Sequence, residues 1–200
     1  MTSRLLAVAL SVAFGAVGVL CSTFPTRDAQ NTSGSSPSSK RMPDARHWMT
    51  ENLNVAAEPS YCYDNSEQNC RRYGRLYTWE SAQRACRSAG EGWRLPTNEE
   101  WRDLARHFGG LREETPDLGK AAYTALITGG TSGFNAVHGG GRTDKSGEYL
   151  RLDAHGFYWT ASESGPDHAW LYNFGRNGQS LGRHRDGEKL RAFSVRCVRE

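Results

Sequence analysis

The cysteines are the residues of this chain best placed to do chemistry, and their spacing decides which chemistry. There are five: Cys21, Cys62, Cys70, Cys86 and Cys197. None forms the C-x-x-C of a zinc ribbon. With Cys21 set aside as removed or lipidated, four remain, and an even set in an exported chain reads as two disulfides with three possible connectivities. Asp64-Asn65-Ser66 is turn chemistry, which suits a local Cys62–Cys70 loop. Joining Cys86 to Cys197 would then close a loop of about 110 residues, while the other pairings stay open. The remaining reactive types are dispersed. His47, His107, His138, His155, His168 and His184 show no metal-ligand spacing. There is no H-E-x-x-H, no G-x-S-x-G and no phosphate loop. No catalytic residue, metal ligand or cofactor is expected, and the chain reads as a non-enzyme.

The other chemistry on offer is recognition. From Trp159 to Arg185, aromatics alternate with Asn, Arg, His and Gln. Aromatic and Arg side chains dominate binding hot spots, and Asn adds adaptable hydrogen bonds. The candidate ligand-binding residues are Trp170, Tyr172, Asn173, Arg176, Asn177, Arg183, His184 and Arg185. A plainer reading competes with this one: Trp159, Trp170 and Phe174 are expected in the core. The Arg, Asn and His residues are expected on an exposed polar loop, GRNGQSLGRHRDGEK, punctuated by Gly175, Gly178, Gly182 and Gly187.

Several elements must position these residues. HWMTENLNV reads as a first strand with Trp48 and Met49 in the core. A helix starts at Thr78, with Glu80 complementing its dipole. It places Ala82, Ala85, Cys86 and Ala89 on one face, and Gly90 ends it. A second helix starts at Thr97, whose spacing from Glu100 spells a capping box behind Pro96. Its apolar face is Trp101, Leu104, Ala105 and Phe108, and Gly109-Gly110 stops it. From 111 to 156 periodicity is lost among many glycines, so this stretch reads as long loops. Phe134 and Asn135 in GFNAVHGGGR are expected to be buried, the Asn amide bracing loop backbone. Strands follow at FYWTASE (157–163), AWLYNF (169–174) and RAFSVRCV (191–198). The last alternates Phe193, Val195 and Cys197 inward with Ser194 and Arg196 outward.

The 200 residues carry a net charge of only +3 and 22 Gly, with a mean hydropathy of −0.69. The small charge argues against nucleic-acid binding, which needs a concentrated basic face. Arg4 precedes an apolar run from Leu5 to Leu20, the pattern of a secretory signal over residues 1–21. Cys21 follows directly, so lipidation there is the alternative to cleavage, although Leu20 is larger than a lipidation signal wants. Membrane contact is expected only through that signal or lipid anchor. Residues 22–45 are Ser-, Thr- and Pro-rich and read as a flexible tether. The folded domain is expected over 46–200.

Taken in order, WMTENLNV, YCYDN, CRRYGRLYTWESAQRAC, GWRLPTNEEW, GFNAVHGGGR, YWTASE and FSVRCVR resemble the Fibrobacter succinogenes major paralogous domain family across residues 46–200. The resemblance implies an α+β, C-type lectin-like fold, in the branch with formylglycine-generating-enzyme-like domains. Two helices would flank a small antiparallel sheet with long Gly-rich loops and two disulfides. A disulfide from helix to last strand, which matches Cys86–Cys197, is a hallmark of that fold. The resemblance also implies an exported and often lipidated bacterial envelope protein. Some relatives are variable proteins of diversity-generating retroelements. The calcium–sugar motifs of C-type lectins do not match. Glu58-Pro59-Ser60 lies too early, Gly165-Pro166-Asp167 lacks a side-chain oxygen, and Trp170-Leu171-Tyr172 replaces Trp-Asn-Asp, whereas calcium wants six to eight oxygens. The active-site cysteine pair of the formylglycine-generating relatives has no counterpart if all four cysteines are bridged. The expected function is ligand binding, the partner an extracellular protein or polysaccharide.

Overall fold

The computed structural model describes residues 37–200 of the chain. The signal reading of 1–21, the lipidation reading of Cys21 and the tether up to residue 36 lie outside the described residues.

Ten short strands and four helices make up the described part. In order they are β1 (Ser39–Arg41), β2 (His47–Met49), β3 (Ser60–Tyr61), α1 (Glu67–Tyr73), β4 (Leu76–Tyr77), α2 (Trp79–Ser88) and α3 (Asn98–His107). Next come α4 (Lys120–Leu126), β5 (Gly141–Arg142), β6 (Tyr149–Leu150), β7 (His155–Gly165), β8 (His168–Gly175), β9 (Ser180–Glu188) and β10 (Val198–Arg199). The class is α+β, with small antiparallel sheets ordered β1-β2-β10, β3-β4, β5-β6 and β7-β8-β9. The tether reading of 22–45 ran too far. β1 pairs with β2, Met42 is buried in the core, and the Lys40 ammonium donates to the Ser132 carbonyl at 2.7 Å. A polar segment is held here by backbone pairing rather than by its own apolar surface.

The β7-β8-β9 sheet is covered on both faces, and two aromatic clusters form where its strands alternate. Tyr158, Tyr172, Phe174 and Leu181 join Trp48, Trp101 and Phe134 on one side. Trp159, Ala169 and Leu171 join Trp79, Trp93, Phe193 and Val195 on the other. Trp101 stacks on Tyr172 with centroids 5.1 Å apart and meets Trp48 edge-on at 5.1 Å. Such offset and edge contacts suit the ring quadrupoles. α3 presents Trp101, Leu104 and Ala105 to this core. Its entry is the expected capping box, with Thr97 Oγ1 accepting from the Glu100 amide at 3.2 Å and Glu100 Oε2 accepting from the Thr97 amide at 2.8 Å. Thr78 precedes α2 without capping it, because its hydroxyl turns to Ser81 Oγ at 3.1 Å.

Two disulfides close the fold. Cys62 bonds to Cys70 across 8 positions, and Cys86 bonds to Cys197 across 111. The second joins the buried face of α2 to the last segment of chain, inside the second cluster.

Three expectations are corrected. The described residues hold four α-helices where two were expected. α1 carries Cys70 of the local disulfide, and α4 lies in the supposedly irregular stretch, where Ala122, Tyr123 and Leu126 are buried. The Gly-rich loop after β8 is largely strand β9, the edge of the sheet. The closing segment is not half-buried: Ser194 and Arg196 are as buried as Val195 and Cys197. Its ladder is scattered, with bridges from Phe193 to Tyr77, Ala192 to Arg142 and Ser194 to Tyr158.

Arg196 explains part of that burial. Its Nε donates to Asn52 Oδ1 at 2.7 Å, one Nη to the Met49 carbonyl at 2.9 Å and to the Phe134 carbonyl, and the other Nη to the Asn135 carbonyl at 2.6 Å. The guanidinium also lies 4.7 Å from the Phe134 centroid. The GFNAV segment is therefore braced from outside. Phe134 is buried as expected, but the brace is Arg196 on main-chain carbonyls rather than the Asn135 amide.

Candidate functional site

The sequence-nominated binding residues do not form one surface, because strand alternation sends them to different faces. In β8 and β9, Tyr172 sits opposite Arg183, Leu171 opposite His184 and Asn173 opposite Gly182. Tyr172 is fully buried, its hydroxyl donating to the Asn98 carbonyl at 2.9 Å. Burial pushes that phenol far above its ordinary range. It belongs to the core and is out of reach of a ligand. Arg183 lies over the half-exposed Trp170 ring at 4.7 Å and makes an ion pair with Glu113 at 3.3 Å. That pair lacks hydrogen-bond alignment, since the Arg183 Nε has no partner. Arg176 and Asn177 are exposed at the β8–β9 turn, where Arg176 donates to the Asp153 carbonyl at 3.1 Å. Arg185 is exposed, and its carbonyl accepts from Ser164.

Asn173 and His184 point to the other side and share a cleft of about 320 Å³. Its remaining walls come from elements the sequence did not nominate. Arg151 follows β6 and His155 starts β7, Phe157 and Phe193 form an apolar floor, and Asp186 and Arg191 close the rim. His155 stacks on Phe157 with centroids 5.4 Å apart and planes 5° from parallel. Its Nδ1 is 3.0 Å from Asn173 Oδ1, which fixes the ring. Phe157 in turn packs on Phe193 at 5.1 Å.

Glycine makes this cleft possible. A Cβ on Gly187 would come within 2.6 Å of both Leu171 and Trp159, so β9 can lie against the sheet only with glycine there. The same residue that made the stretch look like a loop lets it be a strand.

The charge of the cleft is lopsided. Arg151 and Arg191 face one carboxylate, Asp186. The Arg191 guanidinium lies 5.4 Å from the Phe193 centroid, and its Nε is buried without a hydrogen-bond partner. A buried donor without an acceptor costs about 1–3 kcal/mol. The cleft therefore offers an apolar floor, an unspent cationic donor and a fixed imidazole, an inventory for binding a polar ligand.

Among the described residues, one group of potential metal ligands converges: Cys62, Glu67 and Cys70, with ligand atoms within 4.8 Å of one another. Both sulfurs are spent on their mutual disulfide, which removes the thiolates a metal would need.

The missed residues carried weak signals. His155 and Arg151 lay in the glycine-punctuated stretch, and Arg191 was read only as the start of a strand. Nothing in local periodicity says that β7 and the segment after β9 meet.

A family model described as Fibrobacter succinogenes major domain matches residues 44–199. No curated protein and no solved structure matches the chain.

Proposed function

The chain belongs to the Fibrobacter succinogenes major domain family, and from that premise we propose that it is an exported, non-catalytic ligand-binding module of the bacterial cell envelope. Its fold on this reading is the C-type lectin-like one. It recognises an extracellular protein or polysaccharide through the β8–β9 surface. The observation that carries this reading is the cleft beside Asn173 and His184, where the Arg191 Nε is buried and unpartnered over an aromatic floor. The cleft's size falls in the range typical of ligand pockets. Two disulfides support an oxidising compartment. Within the envelope the protein is secreted or held as an outer-membrane lipoprotein through Cys21.

The same surface is where a retroelement-diversified variable protein would change. β9 is an edge strand, so its exposed side chains at His184 and Arg185 can vary without disturbing a second ladder. Sequencing the gene across a population checks this: substitutions no denser in codons 157–190 than elsewhere would exclude diversification.

The binding reading is tested by screening the oxidised chain against glycan and surface-protein arrays, with and without chelator. The expected result is chelator-resistant binding that is lost when His184 and Arg191 are both changed to Ala. Absence of binding to every class by a folded protein would favour a structural envelope protein instead.

A further inference from the structure

The turn between β8 and β9 carries Asn177-Gly178, the single Asn-Gly pair of the chain. An asparagine closes on itself when the main-chain nitrogen of the next residue attacks its side-chain amide carbon. That step needs the nitrogen free of hydrogen bonds and no side chain hindering its approach. Both conditions hold here. Asn177 and Gly178 are exposed. The Gln179 amide donates to the Arg176 carbonyl at 3.2 Å, which places Asn177 and Gly178 at the two central positions of a β-turn. Among the described residues the Gly178 amide makes no main-chain hydrogen bond. Asn-Gly hairpin turns ordinarily hold both residues at positive φ. Here neither takes one, and the left-handed position falls instead on Gln179, at φ 44°, where a Cβ is unfavourable. The pair thus lies outside the mirror-image turn that would hold it, beside a residue that gains by leaving its own conformation.

Other asparagines are held differently. Asn52 and Asn69 donate their side-chain amides to the carbonyls of Tyr73 and Tyr63, at 2.8 and 2.9 Å, and Asn65 accepts from the Tyr149 hydroxyl at 2.8 Å. None of these is followed by glycine. The one Asp-Gly pair, Asp186-Gly187, lies inside β9, where Gly187 is buried and paired with Ala169.

We infer that Asn177 is a self-modification site that converts to an acid in the folded protein with water as the only co-reactant. The Gly178 nitrogen bonds to Asn177 Cγ and gives up its proton. The side-chain amide leaves as ammonia carrying that proton, and water opens the resulting cyclic imide at either carbonyl. One opening gives an aspartyl residue, the other an isoaspartyl residue with an extra methylene in the main chain. Either product sets a carboxylate beside Arg176, which donates to the Asp153 carbonyl at 3.1 Å. The isoaspartyl product also lengthens the link between β8 and β9, so it loosens the pairs nearest the turn, Gly175 with Ser180 and Phe174 with Leu181. The inference stands apart from the cleft beside Asn173, and its test does not depend on a ligand.

The test incubates the full oxidised chain in mildly alkaline buffer made with heavy-oxygen water, beside its Asn177→Gln and Gly178→Ala variants and a free peptide of residues 175–180. Peptide mapping by mass spectrometry locates the label and separates aspartyl from isoaspartyl products. Alanine is accommodated at 178, because a Cβ there meets nothing closer than the Ser180 hydroxyl at 3.2 Å. Label is expected at position 177 in both products, at a rate in the folded chain within an order of magnitude of the free peptide's. It should be lost in Asn177→Gln and slowed several-fold in Gly178→Ala. No conversion at 177, a folded-chain rate more than an order of magnitude below the peptide's, label spread over other asparagines, or an unchanged rate in Gly178→Ala would each overturn the assignment.

Discussion

His155 and Asn173 are joined across β7 and β8 by a 3.0 Å contact between Nδ1 and Oδ1, while His155 lies parallel to Phe157. The imidazole is thus held on two sides, one polar and one apolar, and its Nε2 lies 3.5 Å from an Arg151 Nη. Preorganised groups lose little entropy when a ligand arrives. Asn173→Ala should release the ring and weaken ligand binding several-fold, with thermal stability little changed because Asn173 is only half-buried. Titration of the variant beside a melting curve checks both halves of this expectation.

The Cys86–Cys197 bond closes a segment of 111 positions. Chain-entropy estimates put such a closure at about 4–5 kcal/mol. Replacing both cysteines by Ser should lower the denaturant midpoint far more than replacing Cys62 and Cys70, whose 8-position loop is worth about 2.5 kcal/mol on the same scale. Equilibrium unfolding of the two double variants gives the comparison.

Arg196→Met should destabilise the protein by about 1–3 kcal/mol for each buried acceptor it leaves unpaired. Methionine would fill much of the space but leave the carbonyls of Met49, Phe134 and Asn135 without donors. Burial draws the guanidinium's pKa down to about 10, so it remains charged at neutral pH. Hydrogen exchange should show residues 133–137 losing protection before the β7-β8-β9 sheet does.

Burial pushes the Glu100 carboxyl up, but hydrogen bonds from Arg94 and the Thr97 amide, with the charges of Arg94 and Arg46, hold it below the usual carboxylate range. Arg94 grips it bidentately at 2.8 and 2.6 Å. A carboxylate with a depressed folded pKa contributes stability that is present above its unfolded value, about 4.3, and is lost as pH falls through the folded value. Glu100→Gln should therefore lower the melting temperature at neutral pH and flatten its decline in acid. Melting curves from neutral pH downward read out both effects.

Much of the fold was legible because local signals agreed with one another. Ala82, Ala85 and Cys86 repeat at helical spacing, and Thr97 with Glu100 writes its own cap. The aromatic, β-branched runs of β7 and β8 mark buried strands. The site was legible only in part. Strand alternation separates Tyr172 and Arg183 from Asn173 and His184, and a list of suitable residue types does not contain that register. β9 was hidden by its composition, since Gly187 is demanded by Trp159 and Leu171, which are remote in sequence. Arg196 read as an outward residue because period-two alternation assumes one solvent face. Here the long excursion carrying Phe134 and Asn135 covers the second face.

The central claim, that the cleft beside Asn173 and His184 is the binding surface, is tested most directly by one comparison. A ligand found by the array screen would be titrated against His184→Ala/Arg191→Ala and against Trp170→Ala/Arg183→Ala, which alters the opposite face of the same two strands. The account predicts that the first variant loses binding and the second keeps it. Binding retained in the first variant, whatever happens in the second, would contradict the account and return the choice of surface to the Trp170 face or the exposed turn.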